Sequence, residues 1–335
     1  MIQNYYARRL GMSVFTVFAV ITFSFFLIRY MPGGPMDYMI ANLQQQGLST
    51  ARARELAATY TQVNPDQPVH IAYVEYLGEI LTGSLGTSMW YDKPVADILI
   101  AALPWTLFVM SVSLILSFTM GILTGAVMAY RESTRLDSGG TLVSTFLTSI
   151  PYYLVAIVLL MAFAYQLGWF PTGGRFQSNL SVGWNAEFLL SVLRHGALPI
   201  MSITLTAFGG WALGMRGNSI SVLGKDYLRV ARLAGIPERD IVVKYVTPNA
   251  ILPLYTNLMI AIGGIFGGSI ILEQIFNYPG LGYYIYESIN ARDYPLMMGG
   301  FILITVAVVT TIFVADVTYS YIDPRAETGD SRETY

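Results

Sequence analysis

Six stretches of the chain carry no Asp, Glu, Lys or Arg, and nothing else in the sequence restricts its fold as strongly. They are residues 10–28, 98–130, 138–174, 195–215, 245–272 and 294–315, with lengths of 19, 33, 37, 21, 28 and 22 residues. A bilayer core about 30 Å thick takes roughly 20 helical residues to cross. Lipid offers no partner to a backbone amide, so only helices and closed barrels cross it. These stretches are continuously apolar and lack the period-two alternation of barrel strands. The expectation is an all-α integral membrane protein with six transmembrane helices. Pro104 and the Pro171-Thr-Gly-Gly174 turn are read as boundaries that trim the two longest stretches.

Composition agrees. Of 335 residues, 54% are hydrophobic and only 12% charged, against roughly 25% charged in an average soluble domain. That excludes a disordered chain and an ordinary soluble enzyme. A net charge of −2 gives no long-range attraction to nucleic acid. Disulfides, thiol catalysis and Cys-metal sites are excluded because the chain has no cysteine. His70 and His195 are its only histidines, too few for a His-rich zinc site. Arg8-Arg9 resembles the charged start of a signal peptide. The apolar run after it is too long for one, and no small-residue cleavage site follows, so this run is expected to remain as the first span.

Six crossings place both termini on one side. With the N-terminus inside, twelve of the nineteen basic residues fall on inner segments and seven on the outer, longer ones. The N-in, C-in orientation is therefore favoured. The expected division is residues 1–30 for the N-terminus and first span, and 31–97 for an extracytoplasmic subdomain. Residues 98–322 then form the transmembrane core, with a cytoplasmic loop at 216–248, and 323–335 the inner tail. Residues 50–60 and 69–81 have helical composition, and Pro65, Pro68 and the Gly83-Ser-Leu-Gly86 turn punctuate them. A packed cap without any ligand role fits this subdomain equally well. Gly121 with Gly125, Gly263 with Gly267, and Gly264 with Gly268 have the small-xxx-small spacing of close helix packing.

The spans offer no site for an energy source. Ion-coupled carriers keep ionisable groups inside the membrane. Here Glu273 and Asp316 sit only at span ends, where interfacial charges are common. A phosphate-binding loop needs G-x-x-x-x-G-K-[ST]; at Gly224-Lys225 the next residue is Asp226 and Ser219 replaces the first glycine. No H-E-x-x-H or G-x-S-x-G occurs. A chain that used ATP would need a partner to bind it. An ion-coupled secondary carrier or a non-transport assembly protein remains the alternative.

Between spans four and five lies a two-faced helical segment. Tyr227, Val230, Ala231 and Ala234 fall on one side, and Lys225, Arg229 and Arg232 on the other. Gly235 and Pro237 stop it and start a second short helix over 238–246, expected to end at Pro248. Two short helices tethered at both ends to membrane helices can transmit a push. They could equally lie on anionic lipid.

The segment resembles the coupling loop of the membrane subunits of ATP-binding-cassette importers. Their pattern is E-A-A, three residues, glycine, nine residues and I-x-L-P; here Ala231, Gly235 and Pro248 match. Arg229, Val230, Tyr245 and Thr247 depart from it. The run from Asp226 to Gly235 is similar to the D-Y-x-R-x-A-R-x-x-G form of the dipeptide, oligopeptide and nickel permeases. Similar elements recur along the chain: Arg8-Arg9-Leu10, Met31-Pro-Gly-Gly-Pro35, Gly83-Ser-Leu-Gly-Thr-Ser88, Pro94-Val95, Leu103-Pro-Trp-Thr-Leu107, Glu273-Gln-Ile-Phe276, Pro279-Gly-Leu-Gly282 and Arg292-Asp-Tyr-Pro295. The long segment after span one resembles the first permease of that branch.

The resemblance implies a type I importer fold and no cofactor on this chain, with ATP and Mg on partner subunits. The implied partners are a homologous second permease, two ATPase subunits and an extracytoplasmic solute-binding protein; nucleic acid is not among them. It implies an ATPase-coupling loop made of Asp226, Tyr227, Arg229, Ala231, Arg232, Ala234, Gly235, Ile236 and Pro237. Glu273, Phe276, Pro279, Gly280, Gly282, Arg292 and Asp293 become candidates for an outer gate or a binding-protein contact. A rigid connector with Pro-Gly turns fits these seven equally well. Specificity would rest mostly with the binding protein, and the implied solutes are short peptides, nickel, glutathione or oligosaccharides.

Overall fold

A computed structural model describes residues 2–30, 35–63 and 67–322. Met31-Pro-Gly-Gly34, Pro65 and the tail 323–335 lie outside the described residues. The described residues are mostly helical. Its contacts divide into two compact units, one drawn from Met1–Thr106, Phe266–Ile270 and Pro279–Tyr335, the other from Leu107–Ile265 and Ile271–Tyr278.

The first unit begins with α1 (Ile2–Tyr30), followed by α2 (Pro35–Gln45), α3 (Thr50–Thr61) and α4 (Val69–Leu81). The last two match the helices expected there, and α2 was not expected. Ser49 caps α3 by accepting from the Arg52 amide at 3.4 Å. A short antiparallel hairpin pairs β1 (Thr87–Ser88) with β2 (Lys93–Pro94). Gly86 enters it at φ +84°, and a Cβ there would sit 2.5 Å from the Tyr60 carbonyl oxygen, so only glycine fits. Helices α13 (Leu281–Ala291) and α14 (Tyr294–Ile322) complete the unit.

One core unites these pieces. Ile21, Phe25 and Ile28 of α1 pack with Met39 of α2, Ala53 and Ala57 of α3, Tyr76 of α4, and Met298 and Ile302 of α14. The Phe25 ring meets Tyr73 and Tyr76 edge-on or tilted, at 5.2 and 5.5 Å. The segment after span one is therefore built onto spans one and six, since its apolar residues are buried against them.

The second unit holds α6 (Arg135–Ser149), α7 (Tyr152–Leu159) with its π-helical continuation Leu160–Gln166, α8 (Ala186–Leu223), α9 (Asp226–Leu233), α10 (Glu238–Asp240), α11 (Thr247–Ile265) and α12 (Ile270–Ile275). Helix α5 (Val95–Tyr130) contributes its later turns.

Among the described residues, five helices are long and apolar enough to cross a membrane: Ala7–Tyr30, Val95–Tyr130, Ala186–Leu223, Glu238–Ile265 and Tyr294–Val314. The expected third span is a pair, Arg135–Ser149 and Tyr152–Gln166, bent by 91°. Pro151 causes the break: its ring pushes Ile150 to an extended conformation (φ −90°, ψ 125°) and it lacks an N–H for the ladder.

Other prolines do the reverse of what was expected. Pro104 lies inside α5 rather than at its edge. Pro248 does not end the second elbow helix, which runs without interruption from Glu238 to Ile265. A π turn at Ile241–Val246 precedes it, with the Thr247 amide bonding back to the Val242 carbonyl. Five-residue spacing turns the carbonyls away from the proline ring that a regular turn would clash with. Helix α11 ends at Ile265, so the pairs Gly263/Gly267 and Gly264/Gly268 do not share a helix. The glycine run terminates it, and Gly268 adopts φ +63°. Gly121 and Gly125 are close-packing positions, as their spacing suggested: Cβ atoms there would lie 2.4 Å from Trp211 Cβ and 2.3 Å from the Ala212 carbonyl oxygen of α8.

Candidate functional site

The elbow between α8 and α11 is held by a small core of its own. Leu228, Ala231, Ile241 and Val246 are buried together, with Val222, Leu223 and Ile236 packed against them. Burying a residue such as Leu228 or Ile241 contributes roughly 1.5–3 kcal/mol, enough to fix α9 onto the end of α8. The first arm closes with a Schellman motif. Gly235 sits at φ +74°, its amide bonds to the Arg232 carbonyl at 3.0 Å, and the Ile236 amide bonds to the Ala231 carbonyl at 3.2 Å. Pro237 then starts the second arm. The Arg232 guanidinium reaches across the corner to Glu238, with contacts of 3.1 and 3.4 Å, and Lys244 pairs with Asp240 at 2.9 Å. Both pairs are exposed and contribute under about 1 kcal/mol each.

The face that α9 buries is not the stripe of Tyr227, Val230, Ala231 and Ala234. Leu228 and Ala231 point inward, while Tyr227, Val230 and Leu233 are 45%, 64% and 81% exposed, and Ala234 is exposed too. The helix is apolar on most of its circumference, so periodicity alone did not distinguish the side docked on this chain from the side left open. Asp226 occupies the first turn, where its charge suits the helix dipole. Arg229 and Pro237 are exposed.

The seven outer candidates separate into two groups. In the first unit, Asp293 caps α14. It is 1% exposed and accepts from Ser88 Oγ (2.5 Å), the Trp90 amide (3.2 Å) and the Leu296 amide (3.3 Å). The β1–β2 hairpin is thus pinned to the start of α14. Beside it, burial pushes the Tyr91 phenol up to about 12, and the nearby Tyr284, Tyr283, Glu287 and Asp293 add to the shift. Arg292 is exposed in a left-handed conformation (φ 53°), its guanidinium 5.2 Å from the Tyr38 ring centre. Pro279 is half-buried, while Gly280 and Gly282 are buried at the start of α13. The neighbouring Leu281 amide donates to Thr106 Oγ1 at 2.8 Å.

In the second unit, Glu273 and Phe276 are buried in and just after α12. The Gly174 amide donates to the Phe276 and Asn277 carbonyls at 3.2 and 3.0 Å. Burial raises the Tyr278 phenol above its ordinary value, and Glu273 raises it further.

Two contacts went unseen in the sequence. Asp137 is buried and takes a bidentate grip from Arg216, Nε to Oδ1 at 2.5 Å and Nη2 to Oδ2 at 2.8 Å. The Ser133 amide donates to the same carboxylate at 3.1 Å. Thr134-x-x-Asp137 is a capping signature that could have flagged it: Thr134 caps α6 by accepting from the Asp137 amide. The other is an open cavity of about 470 Å³ between the 168–180 loop and the first turns of α8, lined in part by Trp169, Glu187, Arg194 and His195. Among the described residues, no cluster of His, Asp and Glu could hold a metal ion.

Residues 121–328 match the family model described as the inner membrane component of binding-protein-dependent transport systems. The chain belongs to that family. It is a multi-pass inner-membrane permease of the ABC importer type. The oligopeptide transport system permease protein AppB of Bacillus subtilis is 33% identical over 96% of this chain and 99% of its own length. The di/tripeptide transport system permease protein DppB of Pseudomonas aeruginosa is 28% identical over 96% of this chain and 98% of its own. The glutathione transport system permease protein GsiC of Salmonella typhimurium is 29% identical with the same coverage. Membership in the family leaves the ion-coupled carrier and the non-transport assembly protein without support.

Proposed function

We propose that this permease passes di- and oligopeptides inward, delivered by an extracytoplasmic binding protein and driven by ATPase subunits that grip the α9–α10 elbow. The peptide substrate rests on the names of its relatives, AppB and DppB. In this reading the chain pairs with a homologous permease, and two ATPases hold all the ATP and Mg. The termini and the elbow face the cytoplasm. Closure of the ATPases biases a two-state arrangement of the membrane helices, opening the pathway outward, and hydrolysis resets it.

The observation that carries the proposal is the open apolar strip Tyr227, Val230 and Leu233 on a helix already fixed by Leu228 and Ala231. A strip left uncovered by its own chain, with Arg229 and Arg232 beside it, suits a groove on a soluble partner. Arg292 fits a surface contact with the binding protein. Within the first unit, the buried Gly280, Gly282 and Asp293, with Pro279, suit an outer-gate role, and within the second so do the buried Glu273 and Phe276. The test is Val230→Asp with Leu233→Asp in the assembled transporter. Recovery of the ATPase with the permease should fall at least tenfold while membrane insertion is unchanged. Unchanged recovery would refute the docking face.

A further inference from the structure

We infer that the cavity at the start of α8 is a binding site for a free zwitterionic peptide about three residues long. It lies at the opposite end of α8 from the elbow, which in the proposed orientation is the extracytoplasmic end. The inference rests on the peptide reading above and adds a substrate subsite on the permease itself.

The walls carry the chemistry such a ligand needs. Glu187, Leu190, Ser191 and Arg194 recur at i, i+3, i+4 and i+7, so α8 presents them as one stripe along the cavity. An acid and a base seven residues apart are separated by about 10.5 Å along a helix. Three extended residues span about 10–11 Å, so the ammonium and carboxylate of a tripeptide match the two charges. A zwitterionic lipid headgroup does not, because only a two-carbon bridge separates its phosphate from its ammonium. The opposite wall is aromatic and apolar: Trp169, Phe170 and Leu180 line it. A volume of about 470 Å³ falls in the range of small-molecule sites, roughly 300–1,000 Å³.

The cavity is also braced. Ser191 Oγ accepts from the Gln177 amide at 2.9 Å, tying the loop to the helix. His195 Nδ1 lies 2.7 Å from the Ser191 carbonyl, which can only accept, so Nδ1 carries a hydrogen. The Gly174 amide holds the far end of the loop against the Phe276 and Asn277 carbonyls.

The absence of native cysteine permits a clean test. In the assembled transporter in proteoliposomes, Gln177→Cys is labelled from outside with a maleimide. Free Ala-Phe-Ala should slow labelling at least fivefold, and its N-acetylated, C-amidated form should not. Glu187→Gln and Arg194→Gln, each added to Gln177→Cys, should abolish the protection. Labelling that is unaffected by the tripeptide, or slowed equally by the blocked form, would overturn the site. Protection by the binding protein without peptide would overturn it in favour of a protein contact. Uptake of radiolabelled Ala-Phe-Ala by the same vesicles, with its binding protein present, separates the two readings. Uptake without protection removes only the cavity site; protection without uptake removes the import reading and leaves the site.

Discussion

Gly125→Ala offers a direct measure of how closely α5 and α8 are packed. The added Cβ would lie 2.3 Å from the Ala212 carbonyl oxygen, 2.8 Å from Met215 Cβ and 3.0 Å from the Arg216 amide nitrogen. Two of these obstacles are backbone atoms in the middle of a helix, so no rotamer change relieves them. To restore ordinary separations the helices must part by about 1 Å, and a gap of that size forfeits up to half of each dispersion contact across the seam. Ile122, Met215, Ala250 and Leu254 are packed there. Overpacking costs about 1–3 kcal/mol, and backbone obstacles place this site in the upper part of that range. Alanine returns about 1 kcal/mol of helix propensity over glycine. The net loss is about 1–2 kcal/mol, roughly doubled when Gly121→Ala is added. The control is Gly210→Ala, since a Cβ at Gly210 meets nothing within 4 Å and should be neutral or stabilising. The assay is the SDS-unfolding midpoint of the purified chain in mixed micelles. Equal midpoints for Gly125→Ala and Gly210→Ala would refute the close approach.

Gly235→Ala meets nothing within 4 Å, so its whole effect comes from the left-handed backbone, about 1 kcal/mol; ATPase stimulation by loaded binding protein should fall while insertion is unchanged, and Gly235→Asn should be milder. Arg232→Glu, which sets two carboxylates facing across the corner to Glu238, should lower the same stimulation. Asp293→Ala strands the Ser88 hydroxyl and two amides and should cost about 1–3 kcal/mol, read as a lower unfolding midpoint. Arg216→Lys keeps the charge but loses the two-pronged grip on Asp137, and should lower the unfolding midpoint where a lysine at Arg229 would not.

Much of the fold was legible because lipid leaves few options for a charge-free run. The helices at residues 50–60 and 69–81 were legible for another reason, since clear caps and turns isolate them. Proline and glycine misled where each has two meanings. Pro151 breaks a helix, but Pro104, Pro199 and Pro253 sit inside long ones, where neighbouring segments supply what the backbone loses. Glycine at four-residue spacing marks a contact at Gly121 and Gly125 but a helix end after Gly263. The elbow was legible as two helices about a glycine corner. Its buried face was not, because six of the eight residues from Tyr227 to Ala234 are apolar. The Asp137–Arg216 and Ser88–Asp293 bonds join residues 79 and 205 positions apart, and no local pattern encodes such pairings.

The second unit is organised along one long helix. Helix α8 runs unbroken for 38 residues, about 57 Å, with the cavity at its first turns and the elbow at its last. Along that length it is fastened on several sides without slack: α5 lies against it at Gly121 and Gly125, Gly209 brings it against the Ser144 carbonyl and Thr148 of α6, and Arg216 grips Asp137. Apart from the Arg216–Asp137 pair, these contacts run through glycine and backbone, and packed helices of this kind shift between discrete arrangements rather than bending continuously. In the proposed coupling, a displacement imposed at Leu228 and Ile241 would move α8 together with the turns of α5 and α6 packed on it. The elbow's small core would serve that coupling, because α9 without Leu228 and Ala231 buried beneath it would yield to the proposed ATPase before α8 did.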